Sequence, residues 1–288
     1  MTTTQAGLAR RRLGVLTLLG SALSNQLGAA VGSFAFPLIG PIGVVSARQF
    51  VSAAVLIPLV RPRIWRFTWH QWWPVLLLAV VFGTMNLTLY SSIDRIGLGL
   101  AVTLEFLGPL AVALLSSRNK VGIISAIAAA AGVVAITNPQ PSTDYLGVAL
   151  GLVAACSWAA YILLNRTVGR RIPGIEGTAA SSGVSATLFL PVGIALFIHD
   201  APSGFAILCA VASGVLASAV PYVADLVALR RVPANLFGLL MSVNPIFAAI
   251  VGAVVLGQAL GVVEWAGIAL IVAANALALA LHRPPASA

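Results

Sequence analysis

The sequence predicts an all-α integral membrane protein with ten transmembrane helices, which form two inverted five-helix repeats with cytoplasmic N- and C-termini. Three observations lead to this prediction: 60% of the 288 residues are hydrophobic, only 8% are charged, and long apolar blocks recur along the chain. A soluble domain has roughly a quarter charged residues, whereas a membrane-spanning helix needs about 20 predominantly apolar residues. The composition therefore points to a lipid bilayer as the environment of this chain.

Charged residues and breaks rich in proline and glycine divide the chain into ten candidate spans. The first follows Arg10, Arg11 and Arg12 and is too long for a signal peptide, whose hydrophobic region has about 7 to 15 residues. The breaks between spans are short, so we expect any function to lie within the helical bundle. The spans are predicted near 11–32, 38–60, 72–91, 96–116, 121–137, 145–165, 175–198, 204–226, 234–256 and 263–281.

The positions of the basic residues orient these spans, because loops rich in Lys and Arg stay in the cytoplasm. With a cytoplasmic N-terminus, Arg95 falls in an outer loop and Arg48 falls within the second span. This distribution also accounts for the net charge of +9 without nucleic acid as a partner. The other fourteen of the sixteen basic residues are then cytoplasmic: Arg10, Arg11, Arg12, Arg61, Arg63, Arg66, Arg118, Lys120, Arg166, Arg170, Arg171, Arg230, Arg231 and Arg283.

The two halves of the chain show a weak but ordered similarity. A shift of 136 residues places Gly108-Pro109 on Asn244-Pro245, with small and aliphatic residues matching around them. This predicts two five-helix units, residues 1–137 and 138–288. Since five is odd, the second unit must be inverted in the membrane. Secondary transporters often have this design and bind their substrates near the midplane between the halves.

Glu105 lies near the centre of the fourth span, where a charged carboxylate facing lipid costs about 2.5 to 3.5 kcal/mol. Pro109 has no N–H and therefore leaves the carbonyl of Glu105 without its helical partner. Ala101 and Gly108 leave room on the same face. We expect Glu105 to face a polar cavity and to meet a substrate ammonium group or a proton. The alternative is an acid that only pairs with another helix.

Arg48 is predicted to lie at a similar depth, near the middle of the second span. Arginine binds a carboxylate through two parallel hydrogen bonds. Arg48 can therefore hold Glu105 in place or bind the carboxylate of a substrate. The alternative is an arginine that locks two helices together.

Further polar residues are candidates for the same site. Asn244 precedes Pro245 and repeats the polar residue and helix break of the fourth span. Asp225 ends the eighth span close to the cytoplasm, where simple solvation explains it equally well. The uncharged candidates are Asn86, Tyr90, Trp158 and Tyr161, and Asn25 and Gln26 lie in the first span.

The sequence lacks the residue patterns of an enzyme. It has no Ser/His/Asp set, no phosphate-binding glycine loop and no cluster of His, Cys and carboxylates. Cys156 and Cys209 lie in apolar blocks without metal-ligand spacing. We therefore predict neither catalysis nor a metal or cofactor.

Over nearly its whole length the chain resembles the drug/metabolite transporter superfamily, and within it the EamA-type exporters similar to the threonine/homoserine exporter family. The resemblance implies a multi-pass protein of the inner membrane that exports small amino acids, driven by the proton gradient or by exchange. On its pattern, Arg48 and Glu105 stand at matching motif positions. The stretches that carry it are FPLIGPIGVVSARQ (36–49), GTMNLTLYSSIDRIGLGLAVTLEFLGPLAVALLSSR (83–118), ACSWAAYILLNR (155–166), VPYVADLVAL (220–229) and FGLLMSVNPIFAAIVGAVVLGQAL (237–260).

The chain departs from this family pattern at three positions. The resemblance implies acids where this chain has Asn244 and Gln258, and a glutamate where it has Asp225. An amide at position 244 removes one candidate proton carrier and so affects the expected coupling and substrate.

The predicted function is secondary active export of small amino acids or related metabolites, similar to threonine and homoserine, by alternating access. One alternative is a lipid-handling or structural membrane protein in which the polar residues pair internally. Another is an exporter of a different metabolite or drug. Oligomeric state is not predicted.

Overall fold

The computed structural model describes residues 3–115, 144–173, 175–199, 201–221 and 243–280, together with positions 124, 127–128, 131–132 and 224. Most of the predicted span 121–137, the start of the span 234–256, and Asp225 lie outside these residues. The regular structure of the described part is entirely helical, as predicted. Its α-helices are α1 (Thr3–Ser33), α2 (Phe36–Val60), α3 (Trp69–Ile96), α4 (Leu98–Glu105), α5 (Leu107–Leu115), α6 (Tyr145–Arg171), α7 (Glu176–His199), α8 (Gly204–Gly214), α9 (Asn244–Leu256) and α10 (Val262–Ala280).

Among the residues that the structure describes, five segments are long and apolar enough to cross a membrane: Leu13–Ser33, Phe36–Val60, Trp69–Ile96, Tyr145–Arg171 and Glu176–Leu196. They correspond to the predicted spans one, two, three, six and seven. The described parts of predicted spans four, eight, nine and ten form shorter apolar helices.

The fourth predicted span is interrupted next to its acid. α4 ends at Glu105, Phe106 forms a turn, and α5 begins at Leu107 with Pro109 in its first turn. Proline cannot donate the backbone hydrogen bond that would continue the ladder at Glu105. The break therefore lies where the missing N–H of Pro109 is expected to produce it.

Two other irregularities shape the bundle. α2 is kinked at Gly40, whose φ of +65° is favourable only for glycine, and Pro41 follows directly. α8 continues into a π-helical turn at Val215–Ala219. Such turns loosen the regular ladder and are frequent at functional sites.

The helices pack closely through small residues. α3 runs along α6, α2 lies against α7 and α8, and α1 lies against α8 and α9. A Cβ atom added at Gly28 of α1 would approach the backbone nitrogen of Ala217 to 2.6 Å. Ser24 Oγ donates to the Leu216 carbonyl at 2.8 Å, and Ser92 Oγ donates to the Gly147 carbonyl at 2.8 Å. Serine and glycine thus bring α1 close to α8, and α3 close to α6.

An apolar cluster seals one end of the bundle. It joins the C-terminal halves of α1 and α3 to the N-terminal halves of α2, α4 and α8, and also contacts α9. Its largest fully buried side chains are Tyr90, Leu98, Val44 and Val45. Tyr90, Val102 and Phe106 of this cluster also line the interior cavity of the bundle.

Candidate functional site

A cavity of about 190 Å³ lies in the middle of the bundle, where α1, α2, α3, α4 and α6 meet the π-helical turn and α9. Its wall combines polar and charged groups with aromatic rings. The volume suits a small solute, since pockets for drug-sized ligands have about 300 to 1,000 Å³. The lining residues are Ser21, Ala22, Asn25, Gln26, Ala29, Arg48, Phe82, Met85, Asn86, Leu89, Tyr90, Val102, Glu105, Phe106, Trp158, Tyr161, Ala217, Pro221 and Asn244.

The structure brings seven of the eight predicted site residues to this one cavity; the eighth, Asp225, lies outside the described residues. Their role in binding stays a prediction. Sequence reasoning missed Ser21, Ala217 and Pro221, which carry no charge and have no distinctive spacing. The seven that meet here are Arg48, Asn86, Tyr90, Glu105, Trp158, Tyr161 and Asn244.

Arg48 is held against the π-helical turn. Its Nη2 donates to the Ala217 carbonyl at 3.0 Å and lies 3.5 Å from Ser218 Oγ. The guanidinium carbon lies 4.7 Å from the centre of the Tyr90 ring, a cation–π contact. Nε of Arg48 is buried and has no hydrogen-bond partner within the described part of the chain. Arg48 therefore lines the cavity with part of its donor capacity unused.

Glu105 is buried at the end of α4, with 6% of its surface exposed. Its carboxyl group has no hydrogen bond or ion pair among the described residues, although Arg48 is near enough to attract it electrostatically. The break at Phe106 ends α4 at this acid, which lines the cavity. A carboxyl group and a guanidinium group thus line one small cavity without a direct salt bridge between them.

A buried amide pair closes another part of the wall. Gln26 Nε2 of α1 donates to Asn244 Oδ1 of α9 at 3.0 Å, and both side chains are almost fully buried. Asn244 makes a further interaction as well. The residue that the family resemblance expects to be an acid is therefore an amide that links the two halves of the chain.

Aromatic side chains form the remaining wall. The Phe106 and Trp158 rings pack edge to face with centroids 4.5 Å apart, and those of Phe82 and Tyr161 are 5.5 Å apart. Asn165 Nδ2 donates to Tyr161 Oη at 3.3 Å. These contacts fix the rings, so the cavity has aromatic walls as well as polar groups.

The described residues contain no group of three or more His, Cys, Asp and Glu side chains that could hold a metal ion. What the cavity offers is a fixed guanidinium, a carboxyl group, amides and aromatic faces. Such a set complements a small molecule that carries both an acidic and a basic group.

Comparison with known proteins extends this description. The EamA-like transporter family matches residues 145–280. The threonine/homoserine exporter RhtA of Salmonella typhimurium (strain SL1344) is 37% identical over 278 residues, which cover 95% of this chain and 94% of that protein. RhtA of Escherichia coli (strain K12) is 36% identical over 267 residues, covering 91% of this chain and 90% of that protein.

The fold also matches a solved crystal structure that is 19% identical, with a TM-score of 0.64 and coverage of 94% of this chain and 96% of that one. The helical content, the apolar spans and the relatives together make this a multi-pass protein of the inner membrane. The predicted resemblance is confirmed: the chain belongs to the EamA-like transporter family.

Proposed function

We propose that the protein exports small amino acids or closely related metabolites, similar to threonine and homoserine, by alternating access. The observation that carries this proposal is the meeting of Arg48 and Glu105 at one cavity of about 190 Å³. A zwitterionic amino acid offers a carboxylate to the first and an ammonium group to the second. The names of the relatives, which are threonine/homoserine exporters, support the same substrate class.

Glu105 is the proposed meeting point of substrate and proton. It is the acid among the described cavity-lining residues, and its carboxyl group has no fixed partner there. A carboxyl group can bind a proton or an ammonium group, but not both at once. This competition couples the movement of protons to the movement of the substrate. Asn244 cannot take this part because an amide does not titrate.

The proposed architecture is ten helices in two inverted halves, with α1 to α3 equivalent to α6 to α8 and α4 equivalent to α9. Several of the main helix contacts support it, because this symmetry would exchange one with another. The packing of α3 on α6 corresponds to that of α8 on α1, and α2 on α8 corresponds to α7 on α3. Likewise, the packing of α4 on α6 corresponds to that of α9 on α1. The symmetry maps the contact between α2 and α7 onto itself, and it does the same for the contact between α4 and α9.

Alternating access then requires the cavity to be closed on one side at a time. In the proposed mechanism, the apolar cluster around Tyr90 and Leu98 is the closed side. With cytoplasmic termini, that side faces outward. Export proceeds as the two halves rock, so that this cluster opens while the opposite side closes.

The rival in which the polar residues only pair internally is less consistent with the site. A structural pair would satisfy its donors and acceptors, because unpaired buried polar groups are costly. Here Arg48 Nε and the carboxyl group of Glu105 have no hydrogen-bond partner among the described residues. This favours a site that accepts a solute.

Transport by purified protein in liposomes tests the function. Vesicles are loaded with labelled threonine, homoserine, other amino acids, a nucleotide sugar or a cationic drug, and transport is followed with and without a proton gradient. We expect threonine and homoserine to move, faster with the gradient than without it. Lipid scrambling without solute movement, or movement of the drug or nucleotide sugar alone, would contradict the proposal; protein-free vesicles provide the baseline.

A further inference from the structure

Some of the N–H donors of the Arg48 guanidinium have hydrogen-bond partners, and at least one has none among the described residues. The group has five N–H donors in a fixed fork. Nη2 is anchored to the Ala217 carbonyl at 3.0 Å, and one face of the plane lies over Tyr90. Nε has no hydrogen-bond partner in the described part of the structure, although only 9% of the residue is exposed. A residue that served only to lock helices would be expected to satisfy its buried donors.

Glu105 does not supply the missing acceptor. It lines the same cavity and attracts Arg48 electrostatically, but the described residues contain no ion pair between the two side chains. The guanidinium is instead oriented by the π-helical turn and by Tyr90. A carboxylate entering the cavity is the chemical group that best fits an arginine held in this way.

Tyr90 is itself fixed from two directions. Its hydroxyl group lies 3.2 Å from Ser213 Oγ of α8, and its ring meets the Phe36 ring edge to face at 5.8 Å. The side chain is completely buried. Tyr90 is therefore a rigid aromatic surface that determines the plane of the Arg48 guanidinium.

We propose that Arg48 binds the carboxylate of the transported solute and that Tyr90 is a positioning residue, which holds the guanidinium so that a free carboxylate is required of the substrate. This inference rests on the proposed function and deepens it, since it assigns one end of the solute to one residue. The substrates are then amino acids with an unmodified carboxylate. Their amides and their alcohol analogues bind weakly.

Binding to purified protein tests this without depending on transport. Thermal stabilisation by threonine is compared with that by threoninamide and threoninol, which keep the ammonium group and lack the carboxylate. We expect the wild type to bind threonine roughly 10- to 100-fold more tightly than either analogue, the range typical for a charge-assisted contact. Equal binding of all three, or no binding of threonine, would overturn the inference.

Variants of α3 separate positioning from general structure. Tyr90→Leu removes the aromatic ring, and we expect the preference for threonine over threoninamide to fall at least about tenfold. Tyr90→Phe keeps the ring and loses the contact with Ser213, so it should recover most of this preference. Thr88→Val is the matched control, because Thr88 lies two residues away and its hydroxyl group bonds only to its own helix in the described structure.

The ratio of the two affinities is the informative quantity, because a loosened fold lowers both together. If Tyr90→Leu keeps the wild-type ratio, Tyr90 does not position Arg48 and the inference is wrong. If liposomes transport threonine while the ratio is one in the wild type, this inference fails and the proposed function stands. If threonine binds with the expected preference but is not transported, the proposed function fails instead.

Discussion

Asp144 is an acid outside the membrane spans whose interactions depend on its charge. It precedes α6 and accepts a hydrogen bond from the Gly147 backbone N–H at 2.8 Å, and it pairs with Arg95 at 3.0 Å. The hydrogen bond from Gly147, followed by the interaction with Arg95, lowers the pKa of Asp144 below its ordinary value of 3.8. Because the pKa is lower in the folded state, the stabilisation is present above pH 3.8 and is lost as the pH falls below it.

We predict that Asp144→Ala lowers the melting temperature of the purified protein at neutral pH, and that its difference from the wild type shrinks below about pH 4. Asp144→Asn is the control, since asparagine still caps the helix but carries no charge. At neutral pH, the melting temperature of Asp144→Asn should lie between those of Asp144→Ala and the wild type. A difference between Asp144→Ala and the wild type that stays constant from pH 7 to pH 3 would contradict this account.

At the scale of single residues, the sequence predicted which polar side chains line the cavity. It did not predict the hydrogen bonds and packing contacts that position them. Arg48 and Glu105 were expected at similar depth because both interrupt long apolar spans. Their surroundings depend on other helices. The group that anchors Arg48 is the backbone carbonyl of Ala217, which accepts a hydrogen bond from its guanidinium. Every residue has a backbone carbonyl, so the residue type does not indicate which carbonyl will accept a hydrogen bond from Arg48. That contact was therefore not predictable.

At the scale of helices, close packing depends on glycines that face another backbone. Gly28 lies against Ala217 and Leu216, and Gly32 of the same helix lies against Ser213. Since Ala217 also anchors Arg48, the approach of α1 to the π-helical turn supports the position of Arg48 at the cavity. Packing and the position of the guanidinium are thus connected through a single backbone segment.

We predict that Gly28→Ala destabilises the protein, whereas Gly20→Ala does not. A Cβ atom at Gly28 would lie 2.6 Å from the Ala217 nitrogen, and overpacking of this kind costs about 1 to 3 kcal/mol. Alanine also favours a helix over glycine by about 1 kcal/mol. Gly20 is on the same helix and has no atom within 4 Å of its added Cβ.

Melting temperatures of the two purified variants provide the measurement. Gly20→Ala should match or exceed the wild type, because only the helix preference changes there. Equal melting temperatures for Gly28→Ala and Gly20→Ala would show that α1 does not pack closely on the π-helical turn.

The helix break after Glu105 was predictable from Pro109, whereas the π-helical turn and the kink at Gly40, which Pro41 follows, were not. The interruption after Glu105 agrees with the effect expected of Pro109, because a missing N–H has a fixed consequence four residues earlier. The π-helical turn at Val215–Ala219 follows Gly214 in a stretch of small residues, with no comparable signal. The kink of α2 at Gly40 was also missed, since glycine in a membrane helix more often serves packing.

At the scale of the whole molecule, the proposed inverted arrangement makes a prediction about the two sides of the membrane. Trp65, between α2 and α3, is exposed and belongs on the cytoplasmic side. Ala259, between α9 and α10, is also exposed and belongs on the outer side. These loops were assigned from the distribution of arginine and lysine, which reflects insertion of the chain and not its final packing.

Labelling of single cysteines in intact cells tests this topology. In a background where Cys156 and Cys209 are replaced by alanine, we predict that an impermeant thiol reagent modifies Ala259→Cys and leaves Trp65→Cys unmodified. Permeabilised cells should show modification of both. Modification of Trp65→Cys in intact cells, or protection of Ala259→Cys, would mean that the orientation is wrong.

The central claim of this account is that the small cavity holding Arg48 and Glu105 is the site through which the solute passes. Its most direct test is threonine and homoserine efflux from proteoliposomes under a proton gradient, compared among the wild type, Glu105→Gln and Glu264→Gln. Glu264 is a carboxyl control that lies outside this cavity. We predict a loss of roughly 10- to 100-fold in initial rate for Glu105→Gln and wild-type rates for Glu264→Gln, because glutamine has neither the charge nor the proton. Wild-type efflux by Glu105→Gln would contradict the claim.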